Sequence, residues 1–172
     1  PQDEIRRLLG IAAYAPSGHN IQPTRWIIIT GLDEVNKLAG HVVDWMRVVQ
    51  EKQPAFAQLL HLDRVLSAWQ AGQDRILRNA PHLVVAHAPK EERTAPPAIV
   101  TAIAYLELAA PALGLGTCWA GYFFGACQTH KALIDAIELP PEHAVFGAAM
   151  LGYPKVRYHR LPKRKDIDVI FR

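Results

Sequence analysis

Cysteine is nearly absent: the 172 residues contain two, Cys118 and Cys127. Two thiols cannot form a disulfide framework, so they read as buried, reduced side chains in a reducing compartment, and the expected location is cytoplasmic. Metal motifs are missing as well. The eight histidines form no His-Glu-x-x-His pair, and neither cysteine has an adjoining Cys or His partner, so no metal site is expected. No Gly-x-Gly-x-x-Gly and no Walker loop occurs, which removes the commonest nucleotide signatures. No strained Gly-x-Ser-x-Gly turn surrounds Ser17, which argues against a Ser17–His19 nucleophile. Long apolar runs are lacking too: the richest, Ile99 to Leu115, is interrupted by Glu107, Pro111 and Gly114, so no membrane span is expected. No leader is visible, and a start at Pro1 rather than Met points to residues upstream.

What remains is an ordinary globular composition, 50% apolar and 20% charged, sufficient for one core. A single domain over residues 1–172 is expected. The formal charge is +3, yet Lys155, Arg157, Arg160, Lys163, Arg164 and Lys165 crowd the tail with no acid between them. Such a patch suits a compact anion better than a duplex. With only Tyr158 and Phe171 nearby it is no stacking platform, so nucleic acid is not an expected partner. A solvated face is the plain alternative.

Apolar spacing predicts a helix through Ile5, Leu8, Leu9, Ala12 and Ala13, capped by Asp3 and stopped at Ala15-Pro16. A polar loop then leads to Trp26 to Thr30, a short β-branched apolar run that reads as a strand buried on both faces. Asp33 should cap a second helix carrying Val35, Leu38, Ala39, Val42 and Met46, and a third amphipathic stretch runs from Phe56 to Trp69. Leu83 to His87 reads as a strand and Pro89 to Pro97 as a loop. Ala98 to Leu113 reads as a helix apolar nearly all round, kinked or ended by Pro111. A short helix is expected near His130 to Ile137, with a last strand from Val145 to Leu151. Helices alternating with few strands give an α+β or α/β sandwich.

Two segments carry chemistry. Ala15-Pro16-Ser17-Gly18-His19-Asn20-Ile21-Gln22-Pro23 places a hydroxyl and two amide side chains on one loop. These groups can meet a heteroaromatic ring with donors and acceptors but no charge. Read alone, the segment is equally well a polar turn. In Leu115-Gly-Thr-Cys-Trp-Ala-Gly121, glycines flank Cys118 and Trp119 and would let backbone amides approach a planar ligand. On spacing alone, helix stops explain those glycines better.

Taken together, the chain resembles the nitroreductase family of FMN-dependent proteins. The first segment resembles the family's A-P-S-x-x-N-x-Q-P flavin loop. The second resembles its G-x-G-x-x-W-x-x-G segment. Leu151-Gly-Tyr-Pro154 followed by Arg164-Lys165 resembles its G-Y-P strand end and basic phosphate clamp. The resemblance implies a three-layer α-β-α sandwich with a mostly antiparallel sheet, forming a homodimer with FMN between the chains. It further implies hydride transfer to nitroaromatic- or quinone-like acceptors with ping-pong kinetics. The donor would be NAD(P)H or, because similar Cys-Trp-Ala-Gly segments occur in members fused to an iron–sulfur domain, a reduced iron–sulfur protein. Cofactor contacts would come from Pro16, Ser17, Gly18, Asn20, Gln22, Trp119, Ala120, Gly121, Arg164 and Lys165. Of these, Ser17, Gly18 and Asn20 would reach the flavin of the partner chain, the backbone at Ala120 and Gly121 would approach N5, and Arg164 with Lys165 would hold the phosphate. No side chain is marked as a catalytic acid or base. Family members begin with an Arg-rich strand that grips the phosphate; none is present here, and it is expected upstream. A dehalogenating or flavin-consuming relative, or a non-enzymatic module binding an acidic partner through the tail, are the alternatives.

Overall fold

Strand β2 (His82–Pro89) is the centre of the molecule, with every residue from Leu83 to Ala88 buried. A strand apolar on both faces needs cover on both sides, and the computed structural model, which describes residues 2–156 and 158–172, supplies it. β2 pairs antiparallel with β1 (Arg25–Thr30) and β4 (His143–Gly152), and β3 (Gly116–Trp119) pairs antiparallel with β4. The sheet order is β1-β2-β4-β3. β1 and β3 are therefore its two edges.

One face is covered by α1 (Gln2–Ala12) and α5 (Ala95–Ala109), with Ile5, Leu8, Leu106 and Leu115 packed on Val84 and Leu151. The other carries α2 (Leu32–Lys52), α4 (Leu62–Gln70), α6 (Gly121–Cys127) and α7 (Lys131–Ala136), over Leu83, Val85, Ala148 and Met150. The short α3 (Pro54–Leu59) follows α2. This is the expected α+β sandwich with an antiparallel sheet. Between β4 and α5 the fit is close: a Cβ on Gly147 would lie 2.5 Å from Ile103 Cδ1 and 3.5 Å from Ile99 Cγ2.

Several local expectations change. Asp3 and Asp33 lie inside the first turns of their helices, where they complement the positive helix end, rather than at the caps. Gly31, at φ 99°, occupies the α2 cap. The stretch from Phe56 to Trp69 is two helices, separated where His61 turns left-handed at φ 53°. The helix expected from Ala98 begins three residues earlier. Its α-helical course ends at Ala109, and Pro111 lies in a 3-10 turn, Ala110–Leu113. With that turn the helical run Ala95–Leu113 is 19 residues, long and apolar enough by length and composition to cross a bilayer. Its inward side, Ile99, Ile103 and Leu106, is buried against the sheet, and its outward side is exposed. Cys118 is exposed rather than buried; Cys127 is buried, which pushes its thiol up to about 12.

Candidate functional site

A cleft of about 690 Å³ lies where the edge strand β3 runs into α6. Its volume is in the ~300–1,000 Å³ range of small-molecule sites. Trp119 and Gly121, both expected at the cofactor, line it together with Cys118. Trp45, Val49, Gln53 and Phe56 supply a wall from α2 and α3, Tyr122, Gly125, Gln128 and Thr129 one from α6 and the turn after it, and Arg75, Ile76 and Arg78 a third.

Hydrogen bonds fix the aromatic walls. Trp45 Nε1 donates to Thr129 Oγ1 at 3.1 Å, Tyr122 Oη to the Leu60 carbonyl at 3.0 Å, and Trp119 Nε1 to Glu107 Oε2 at 3.1 Å. Gly125 is needed beneath Trp45: an added Cβ would come within 3.3 Å of Trp45 Cη2. Such pre-set rings lose little entropy when a flat ligand stacks on them. Ala120 is buried, its N–H donated to the Ala148 carbonyl at 2.9 Å and its carbonyl accepting the Phe124 N–H at 2.9 Å. Both its backbone groups are thus engaged. Gly121 is exposed and opens α6.

The polar loop lies elsewhere. It leads into β1, at the opposite sheet edge from β3, across three inter-strand spacings or roughly 14 Å of sheet. Gln22 N–H donates to Ser17 Oγ at 3.0 Å, and Gln22 Nε2 to Asn20 Oδ1 at 2.9 Å. His19, Asn20 and Gln22 have φ of 51°, 55° and 53°. Three non-glycine residues in the left-handed region within four positions cost on the order of 1–3 kcal/mol each, a pattern concentrated at functional sites. Gly18 abuts the α5 cap, where its Cβ would lie 3.1 Å from Thr94 Cγ2. Pro16, Gly18, Asn20 and Gln22 are exposed, and Ser17 and Gln22 line a separate small cavity with Trp26 and Ala98.

Arg164 and Lys165 lie in a tail without regular structure, exposed, and make no hydrogen bond or ion pair among the described residues. Arg157, counted with the basic run, lies outside the described residues. One protomer therefore joins Trp119 and Gly121 in a cleft and leaves the loop and the basic pair apart from it. No group of three or more His, Cys, Asp or Glu side chains able to hold a metal ion occurs among the described residues.

An aromatic cleft at the edge of an α+β sandwich is a candidate small-ligand site, and comparison places the fold. Residues 1–153 match the model of the Nitroreductase family, and the chain belongs to that family. A nitroreductase from Bacteroides fragilis, solved with bound FMN, superposes with a TM-score of 0.71 at 22% identity, over 98% of this chain and 84% of that one. A BluB-like flavoprotein from Clostridium difficile gives 0.73 at 20% identity, over 96% and 86%. An iodotyrosine deiodinase solved with FMN and 3-iodo-L-tyrosine gives 0.69 at 22% identity, over 100% and 87%. At these identities the likeness is one of fold. The tail with Arg164 and Lys165 lies beyond the matched span.

Sequence reasoning missed Arg75 and Arg78 on the cleft wall. Their signal is Asp74, an aspartate whose side chain can bond its own backbone two residues on and so organise a turn.

Proposed function

We propose that the protein is an FMN-dependent oxidoreductase that reduces aromatic acceptors by two electrons, and that it acts as a homodimer. The observation that carries this is the cleft: in a Nitroreductase family chain, its aromatic walls and 690 Å³ volume suit a planar heteroaromatic ring beside Trp119 and Gly121. Several fold neighbours were solved with FMN. Bound there, FMN supplies two-electron hydride chemistry, with NAD(P)H or a reduced iron–sulfur protein as donor and a nitroaromatic- or quinone-like acceptor.

The chain's own residues bind and orient. Gly121 lets the ligand approach the backbone at the head of α6, a role that Ala120, with both backbone groups engaged, leaves to it. Trp119, its ring tied to Glu107, lines the cleft. Pro16, Ser17, Gly18, Asn20 and Gln22, at the far sheet edge, serve the cleft of a second copy, which a two-chain site requires. Arg164 and Lys165 meet the phosphate as charge-assisted donors.

A second reading, reductive removal of halogen from an aromatic, uses the same cleft and is favoured by the deiodinase fold neighbour. The purified protein should show flavin absorbance or take up FMN at micromolar concentration; a colourless protein that takes up none would end the flavin reading. Halide release from a halophenol under turnover, without nitro reduction, would favour the second reading over the first.

A further inference from the structure

We propose that Arg75 and Arg78 form an anion-binding wall of the cleft, so that the favoured acceptors are aromatic rings carrying a carboxylate. The proposal rests on the flavin reading for the identity of the acceptor, although the binding it describes can be measured without it.

Charge gives the first argument. Both arginines line the cleft, and its lining contains no Asp, Glu, Lys or His. Among the described lining residues the cleft therefore carries two positive charges and no acid, Glu107 lying behind the wall as the partner of Trp119. Low-dielectric aromatic walls focus such a field and raise the local concentration of anions.

Geometry gives the second. The neighbouring acid makes no described ion pair with either arginine, and its oxygens face backbone N–H groups instead. Asp74 Oδ1 accepts the N–H of Ile76 at 2.8 Å and of Leu77 at 2.9 Å, and Oδ2 that of Asn79 at 2.9 Å. Those three bonds fold residues 74–79 into a rigid turn, with Ile76 and Leu77 buried as its anchor. Arg78 and Asn79 sit at φ 56° and 52°, a conformation that non-glycine residues adopt at some cost and that surrounding contacts must enforce. The described ion pairs, Lys37–Glu34, Arg47–Asp44 and Lys131–Asp135, involve neither arginine. Two guanidiniums on an ordered turn, unpaired, beside aromatic rings match a ligand with a flat ring and a planar acid group, which guanidinium forks meet bidentately.

The test uses 4-nitrobenzoate and its uncharged isostere 4-nitrobenzamide on the full chain as isolated. Binding to the oxidised protein is read from flavin absorbance and from the fluorescence of Trp45 and Trp119. The acid is expected to bind about tenfold or more tighter than the amide at low salt, with the advantage shrinking as ionic strength rises. Arg75→Gln and Arg78→Gln should each cut the acid-to-amide ratio several-fold, and Arg78→Lys should keep part of it. Equal affinity for acid and amide in the parent, or a ratio unchanged in both Gln variants, would overturn the proposal. So would loss of bound FMN with the ratio intact, because the guanidiniums would then serve the flavin phosphate. A colourless chain whose tryptophan fluorescence still prefers the acid would keep the arginine wall while ending the flavin reading.

Discussion

At the scale of single residues, the basic tail poses the sharpest question. Six Lys or Arg without an intervening acid repel one another unless an anion sits among them, and a phosphate of nearly two negative charges would relieve that repulsion. If Arg164 grips the FMN phosphate, Arg164→Ala should weaken FMN binding about tenfold or more, whereas Arg160→Ala should matter little. Titrating both variants with FMN at two salt concentrations separates the cases: small, equal and strongly screened losses would mark the tail as a solvated face. The composition of the Ser17–Gln22 loop was legible in the sequence, since hydroxyl and amide side chains around a glycine declare a polar turn. Its strained φ values were not. They are held by side-chain clamps within the loop, the Ser17–Gln22 and Asn20–Gln22 hydrogen bonds, and although His and Asn tolerate positive φ, that tolerance does not say that this loop uses it. Arg75 and Arg78 escaped for a related reason, because an arginine in an exposed loop looks solvated until the fold sets a cleft beside it.

At the scale of elements, periodicity carried most of the reading. α1, α2, β1, β2 and β4 are found where apolar spacing placed them, but β1, expected to be buried on both faces, is a half-buried edge strand because only β2 pairs with it. What failed was local. α6 reads Gly-Tyr-Phe-Phe-Gly-Ala-Cys, with two glycines that argue against a helix. Burial of Phe123, Ala126 and Cys127 overrides that preference.

The join between β2 and β4 holds a second feature that pattern could not show. A bulge falls between Ala86 and His87, and His87 Nδ1 lies 2.8 Å from His143 Nδ1 across the two strands. One imidazole must donate and the other accept, so the pair needs at least one neutral ring. Burial first, then His143 and Arg25, holds the His87 imidazole down to about 4, below its ordinary 6.5. The sign follows from linkage: an unfolded chain takes up this proton near pH 6.5 and the folded chain only near 4, so acid favours unfolding. The His87 contribution to stability is complete above about pH 6.5 and is lost as pH falls from there towards 4. Thermal unfolding at pH 7.5 and 5.0 should show a larger drop in Tm for the parent than for His87→Gln. An equal drop in both would place the acid sensitivity elsewhere.

At the scale of the whole molecule, the outward side of α5 is what favours the proposed dimer. Ile99, Ile103 and Leu106 face the sheet and disappear into the core, yet Leu108 is 80% exposed and Val100 49%. Nearby on α1, which packs against α5, Ile11 is 38% exposed, and Tyr14 just beyond it 85%. A helix apolar on its outward side as well as its inward one requires a second apolar surface. A second copy of the same face meets that requirement, because a two-fold interface pairs a patch with itself. The same dimer would bring the Ser17–Gln22 loop of one chain to the cleft of the other, as the proposed two-chain site needs. Light scattering should give twice the 19.1 kDa chain mass. Leu108→Asp places a charge on each side of the proposed contact, at a cost of roughly 2–3 kcal/mol per copy. It should shift the protein towards monomer while leaving its thermal unfolding as a monomer nearly intact, since Leu108 contributes little to the core. FMN affinity should fall in parallel with the dimer fraction as concentration is lowered, because the Ser17–Gln22 loop would withdraw with its chain. A monomeric parent across a broad concentration range would refute the dimer. A monomeric Leu108→Asp variant with undiminished FMN affinity would instead confine the flavin site to one chain and detach the Ser17–Gln22 loop from it.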